Sequence, residues 1–156
     1  MLQIQIPGWK ELALHHLVLD YNGTIAVDGR LLEPIRPLLS QLSSQLAIHV
    51  LTSDTRGTAR RELAGLPVVL ETFAGDAASI AKEAVVNRLG ADSCVCVGNG
   101  RNDTRMFQAA ALAIAVLEEE GTCASLIPHA HMLVRSSQDA LLLLLDPQRL
   151  IAGLRG

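Results

Sequence analysis

The feature that most constrains this chain is an alternation. Short apolar runs rich in Val, Ile and Leu recur at 14–19, 46–51, 68–70, 94–97, 112–116 and 132–134. Runs this short and this apolar read as strands buried on both faces of a sheet. Between and after them lie segments with helical periodicity, at 31–45, 58–64, 76–89, 104–111, 137–144 and 147–154. In the first of these, Pro34 and Pro37 fall near the start, where proline is tolerated. In the third, Asp76 stands as an expected N-cap and Gly90 follows as a C-cap. Strands alternating with helices predict an α/β fold: a three-layer, Rossmann-like, mainly parallel sheet. The first fourteen residues differ. Leu2, Ile4 and Ile6 alternate, Pro7-Gly8 marks a turn, and Leu12 and Leu14 alternate again, which predicts an N-terminal β-hairpin over 1–14.

At 156 residues, with 49% apolar and 19% charged residues, the chain is expected to form one domain over 1–156 around a sizeable core. Net charge is only −3 and aromatics are 3%, with no basic run, so nucleic acid is excluded as an expected partner. No segment is long and apolar enough for a bilayer span, and 1–7 lacks the basic start and apolar run of a signal peptide. Three cysteines make no disulfide framework, so a soluble protein of the reducing cytoplasm is expected, with no membrane partner.

The polar residues follow the strands. Asp20-Tyr21-Asn22-Gly23-Thr24 succeeds the first, Thr52-Ser53-Asp54-Thr55 the second, and Gly98-Asn99-Gly100-Arg101-Asn102-Asp103 the fourth. Lys82 lies on the helix between the third and fourth. In a parallel sheet these clusters share the carboxyl edge, where ligands bind. The residue types suit phosphoryl transfer. A carboxylate such as Asp20 can attack phosphorus and form an aspartyl-phosphate. A divalent cation must offset the repulsion between carboxylate and phosphate, and Mg2+ needs only one or two protein carboxylates, here Asp20 and Asp103. Thr52 can hold a phosphate oxygen, and Lys82 can neutralise charge on Asp20 and phosphate alike.

On these residues the chain resembles the haloacid dehalogenase (HAD) superfamily, and within it a capless, soluble group similar to the phosphorylation domain of P-type ATPases. Asp20-Tyr21-Asn22-Gly23-Thr24 matches the nucleophile motif Asp-x-(Asp/Thr)-Gly-Thr. Val50-Leu51-Thr52-Ser53-Asp54 resembles the second motif, Lys82 the third, and Gly98–Asp103 the Gly-Asp-Gly-x-Asn-Asp motif of the ATPases. The resemblance runs from about Leu14 to the C-terminus. It implies a magnesium-dependent phosphohydrolase for a phosphorylated small molecule or macromolecule. Asp20, Asn22 and Lys82 hold the catalytic positions. Thr52, Ser53, Lys82 and Asn102 surround phosphate. The metal lies among Asp20, the Asn22 carbonyl, Asp103 and, through a water, Asn99.

Two positions depart from the pattern. Family phosphatases carry an acid where this chain has Asn22, and the ATPase motif carries Asp where it has Asn99. An amide cannot relay a proton, and general acid–base help is worth roughly 10²–10⁴-fold in rate. A slow phosphatase is therefore expected. A non-catalytic binding or regulatory protein and a phosphotransferase stand as alternatives. No cap fits: 31 residues lie between Asp20 and Thr52 and 29 between Thr52 and Lys82. An open site calls for a large substrate or a neighbouring subunit as lid, and the apolar face of the hairpin makes a homo-oligomer an expectation. Arg101 is a candidate substrate contact. Asp54 reads first as a loop or cap residue, and Cys94, Cys96, His129 and His131 as structural.

Overall fold

The structure, a computed structural model, describes residues 1–54, 57–73 and 75–156. Thr55, the last residue of the second polar cluster, lies outside them. Along the chain come β1 (Leu2–Gln5), β2 (Glu11–Leu14), β3 (His16–Asp20), β4 (Ala26–Val27), β5 (Arg30–Leu31), α1 (Ile35–Leu42), β6 (Ala47–Thr52) and α2 (Thr58–Glu62). Then follow β7 (Val68–Thr72), α3 (Ala78–Leu89), β8 (Cys94–Gly98), α4 (Thr104–Ala109), β9 (Leu112–Val116), β10 (Met132–Val134), α5 (Ser137–Leu145) and α6 (Pro147–Leu154).

Six strands form one sheet in the order β10-β9-β8-β3-β6-β7, every pair parallel. Counted from β3, the chain builds outward to one side through β6 and β7, then returns to build the other side from β8. The switch point therefore lies between β3 and β8, where sheets of this order open a crevice at their carboxyl ends.

Strand alternation divides the core unequally. Leu17, Leu19, Ile48, Val50, Val95, Val97, Leu112 and Ile114 face the side packed by α1, α5, α6 and the hairpin. The opposite face shows smaller residues, Cys94, Cys96, Ala113 and Ala115, which let Val85 and Val86 of α3 and Phe107 of α4 approach closely. Cys94 and Cys96 are thus core cysteines.

Several boundaries differ from the sequence expectation. The first run breaks at His15, whose backbone N–H bonds Ser93 O and whose carbonyl accepts from Ala47, so hairpin and sheet strand are separate elements. The expected helix over 31–45 shrinks to Ile35–Leu42, because residues 26–31 form a second hairpin, β4–β5. Its turn is Asp28-Gly29, both at positive φ (50° and 77°). That dipeptide is a strong hairpin signal, passed over in the leucine periodicity. Asp76 does not cap α3: the N-cap position is Ala77, with no side-chain cap bond.

The β1–β2 hairpin is present as expected, but its apolar face is not available to another subunit. Leu2, Ile4, Ile6, Leu12 and Leu14 are all buried in this chain's own core. The hairpin lies across the amino ends of the sheet strands, with Lys10 Nζ donating to Ala111 O and Trp9 against His131. It is at the wrong pole to serve as a lid.

Candidate active site

The site is built at the switch point. Asp20 is the last residue of β3 and is 7% exposed. The chain turns sharply after it: Thr24, Ile25 and Ala26 all donate backbone N–H groups to Tyr21 O, and Gly23 bonds Ala26 O. Gly23 sits at φ 76°, and a Cβ there would meet Asn99 Nδ2 at 2.4 Å. Glycine is required twice over, by backbone conformation and by the closeness of the neighbouring loop.

Lys82 reaches in from α3 and is 1% exposed. Its Nζ lies 2.6 Å from Asp20 Oδ1 and 2.6 Å from Asp103 Oδ1, and donates to Asn102 Oδ1 at 3.2 Å. Asp103, fully buried, is held from its other oxygen: Oδ2 accepts from Asn99 N (3.0 Å) and Gly100 N (2.9 Å). It stands at the N-cap position of α4 but spends its carboxylate on the loop and on Lys82. Gly98 makes this fit, since a Cβ there would lie 2.4 Å from Asp103 Oδ2.

Thr52 ends β6, the neighbour of β3, and is buried; its Oγ1 accepts from Asp54 N at 3.1 Å. Ser53 is exposed beside it, and Asn22 is exposed on the loop that follows Asp20. Asp54 accepts from Ala59 N, which matches the loop-bracing reading.

Three contacts escaped the sequence reading. Thr24 Oγ1 reaches Asp20 Oδ2 (3.3 Å) and Asn99 Oδ1 (3.2 Å). Asn99 then donates Nδ2 to Gly121 O at 2.8 Å. Its carboxamide is a crosspiece between the loop that follows Asp20 and the turn at Gly121. Aspartate could not make that second contact, because a carboxylate has no N–H to give. Thr24 was visible in the first motif, but nothing in the sequence ties Gly121 to Asn99.

The electrostatics are those of two carboxylates sharing one ammonium. Burial pushes the Asp20 carboxyl up to about 7; Asp103 adds to this, while Lys82 and Thr24 oppose it. Burial works against charge on Lys82 as well, but the two carboxylates outweigh it and raise its pKa, so Lys82 stays an ammonium. A cation would relieve the surplus negative charge. The carboxylate oxygens brought together here are those of Asp20 and Asp103, both against Lys82. Among the described residues no group of three His, Cys, Asp or Glu side chains could hold a metal. Two carboxylates with carbonyl and water oxygens fit magnesium, which keeps much of its water, better than a metal needing a full protein cage. Among the described residues, the stretch from Asp20 to Thr52 holds β4–β5 and α1, and that from Thr52 to Lys82 holds α2, β7 and the start of α3.

No protein-family model matches the chain. An uncharacterized protein of Methanocaldococcus jannaschii is 41% identical over 39 residues, which are 25% of this chain and 89% of that protein. Solved structures share the fold at low identity. The 3-deoxy-D-manno-octulosonate 8-phosphate phosphatase of Moraxella catarrhalis, in complex with magnesium, phosphate and KDO, superimposes with a TM-score of 0.73 at 14% identity, covering 90% of each chain. A cobalt-bound deoxy-D-mannose-octulosonate 8-phosphate phosphatase of Haemophilus influenzae gives 0.72 at 13% identity over 88% of this chain and 90% of that one. A Streptomyces avermitilis protein described as a HAD family hydrolase gives 0.71 at 16% identity over 87% of each.

Proposed function

We propose that this chain, which has the fold of the HAD hydrolases, is a magnesium-dependent phosphohydrolase working through an aspartyl-phosphate on Asp20. The observation that carries the reading is the meeting of Asp20, Lys82 and Asp103. They come from three separate segments, and Lys82 Nζ lies 2.6 Å from both carboxylates at the switch point of the sheet. Such a set is costly to bury without a use.

Lys82 holds Asp20 Oδ1, which leaves Oδ2, touched among the described residues by Thr24 alone, as the attacking oxygen. A bond forms from Oδ2 to phosphorus, and the ester P–O bond breaks with its electron pair on the leaving oxygen. Water then attacks the phosphorus of the aspartyl-phosphate, releasing inorganic phosphate and regenerating the carboxylate. Thr52, Ser53, Asn102 and Lys82 receive the phosphoryl oxygens. Magnesium, held by Asp20, Asp103 and the Asn22 carbonyl, supplies charge neutralisation. Asn22 neither gives a proton to the leaving group nor takes one from water, so the leaving group must depart unaided or with solvent protons. This favours good leaving groups and a slow second step. Asn99 acts as a loop brace. We place the protein in the cytoplasm among the capless, P-type ATPase-like members; no helix among the described residues is long and apolar enough to cross a membrane.

The test is release of 4-nitrophenol from 4-nitrophenyl phosphate with magnesium. Asp20→Asn is expected to lower the rate at least about 10³-fold, as loss of a covalent nucleophile does. Asn22→Asp is expected to raise turnover by about 10²-fold, the lower range of general acid–base help. Equal rates for the parent and Asp20→Asn sink the enzymatic reading. A binding or regulatory role, suggested by the two asparagines, then gains ground if beryllofluoride still binds in a manner that needs both magnesium and Asp20.

A further inference from the structure

Two adjoining clefts lead away from the site. Asn102, in contact with Lys82, lines a cleft of about 570 Å³ together with Ser79 and Arg101. Ser79 and Arg101 also line a second cleft of about 580 Å³, so the two abut and continue outward along α3 and α4. The outer cleft carries a surplus positive charge. Among the described residues its one carboxylate is Glu83, which is paired with Arg105 at 3.1 Å. Arg101 is exposed and enters no ion pair among the described residues. Asp76 lines only the inner cleft. On the other flank of the site, the cleft beyond Thr52 is lined by both Asp54 and Arg60, with Leu70 and Phe73, so its wall carries both signs of charge.

Resting on the phosphohydrolase reading above, we propose that the substrate is a phosphate monoester whose leaving group carries a second anionic group at its far end, seated on Arg101. The phosphoryl group lies at Asp20, the polar chain of the leaving group crosses the inner cleft past Asn102, and its terminal carboxylate or phosphate meets the guanidinium. Arg101 is thereby a specificity-determining residue, and its planar fork suits either anion.

The experiment compares 6-phosphogluconate with glucitol 6-phosphate, which differ by a carboxylate against a hydroxymethyl group at the end remote from phosphate. Affinities are measured by calorimetry with magnesium on the Asp20→Asn protein, which removes turnover from the readout. The carboxylated ester is expected to bind about 10-fold tighter or more, the scale of a charge-assisted hydrogen bond. In Asp20→Asn/Arg101→Ala the ratio falls toward one, and in Asp20→Asn/Arg101→Lys part of it returns. Equal affinities in the Asp20→Asn protein, or a preference that persists in the Arg101→Ala double variant, overturn the proposal. Failure of the parent protein to release phosphate from any ester overturns the phosphohydrolase reading instead, and the binding ratio is read independently of it.

Discussion

The two ends of the parallel sheet bury ionisable groups in opposite ways. At the carboxyl end, Asp20, Lys82 and Asp103 form a closed set in which every side-chain oxygen and nitrogen has a partner. Toward the amino end, His16 Nδ1 and His49 Nε2 lie 3.2 Å apart, and His49 Nδ1 has no hydrogen-bond partner among the described residues, with Glu71 Oε1 4.0 Å away. Burial drives both regions toward neutrality: it raises Asp20 and lowers His16 and His49. What separates them is a counterion. Lys82 keeps charge at the carboxyl end, whereas the histidines meet each other and settle as neutral rings. Charge is retained where Lys82 stands between the carboxylates and dismissed where the two rings meet each other. Retained buried charge is a poor source of stability, so its presence marks the end where chemistry is done.

Three changes break or sharpen this contrast, in order of size. Lys82→Met keeps most of the side-chain volume but leaves two buried carboxylates facing each other. It is expected to lower the unfolding free energy by about 3–5 kcal/mol at pH 8, and by less in acid, where carboxyls protonate. Urea denaturation at the two pH values checks this; equal losses at both mean that charge is not the cause. Asn99→Asp swaps a donor for an acceptor against Gly121 O and adds charge beside Asp20, so destabilisation of about 1–3 kcal/mol is expected. A variant as stable as the parent would remove the brace from the account.

The smallest effect is in the pH dependence of the metal-free protein. Asp20 has its pKa at about 7 in the fold against 3.8 as a free side chain, so between those values the folded state binds more protons. Its contribution to stability therefore falls as pH rises through that window. His16 and His49 have lowered pKa values, so just below 6.5 the unfolded chain binds more protons and their contribution rises with pH. Asp20→Asn is expected to flatten the fall and His49→Gln the rise, read as urea midpoints across pH 4–8. The two ends thus give slopes of opposite sign. Identical slopes in the parent and both variants would show that neither group titrates as the geometry requires.

Much of this was legible in the sequence because the signals are local. Apolar runs of strand length placed all six sheet strands, and the polar residues following them marked one edge. The β4–β5 hairpin was missed because leucine periodicity outweighed Asp28-Gly29, although that turn, with both residues at positive φ, is as local as any signal in the chain. The hairpin's apolar face was misread for a different reason: alternation shows that Leu2, Ile4 and Ile6 share a face, but not which surface covers it.

The sequence determined that Asp20, Thr52, Lys82 and Asp103 would be present, in order, after strands of a parallel sheet. It also set an amide, Asn22, which does not titrate, two residues beyond Asp20. Tertiary structure alone decided that Lys82 would stand between two carboxylates, that Asn99 would tie the loop after Asp20 to Gly121, and that the hairpin would lie at the far pole. The physical reason is distance along the chain. Residue type and periodicity act over a few positions, whereas these contacts join residues 20 to more than 70 apart, and only the packed sheet brings them within hydrogen-bond reach.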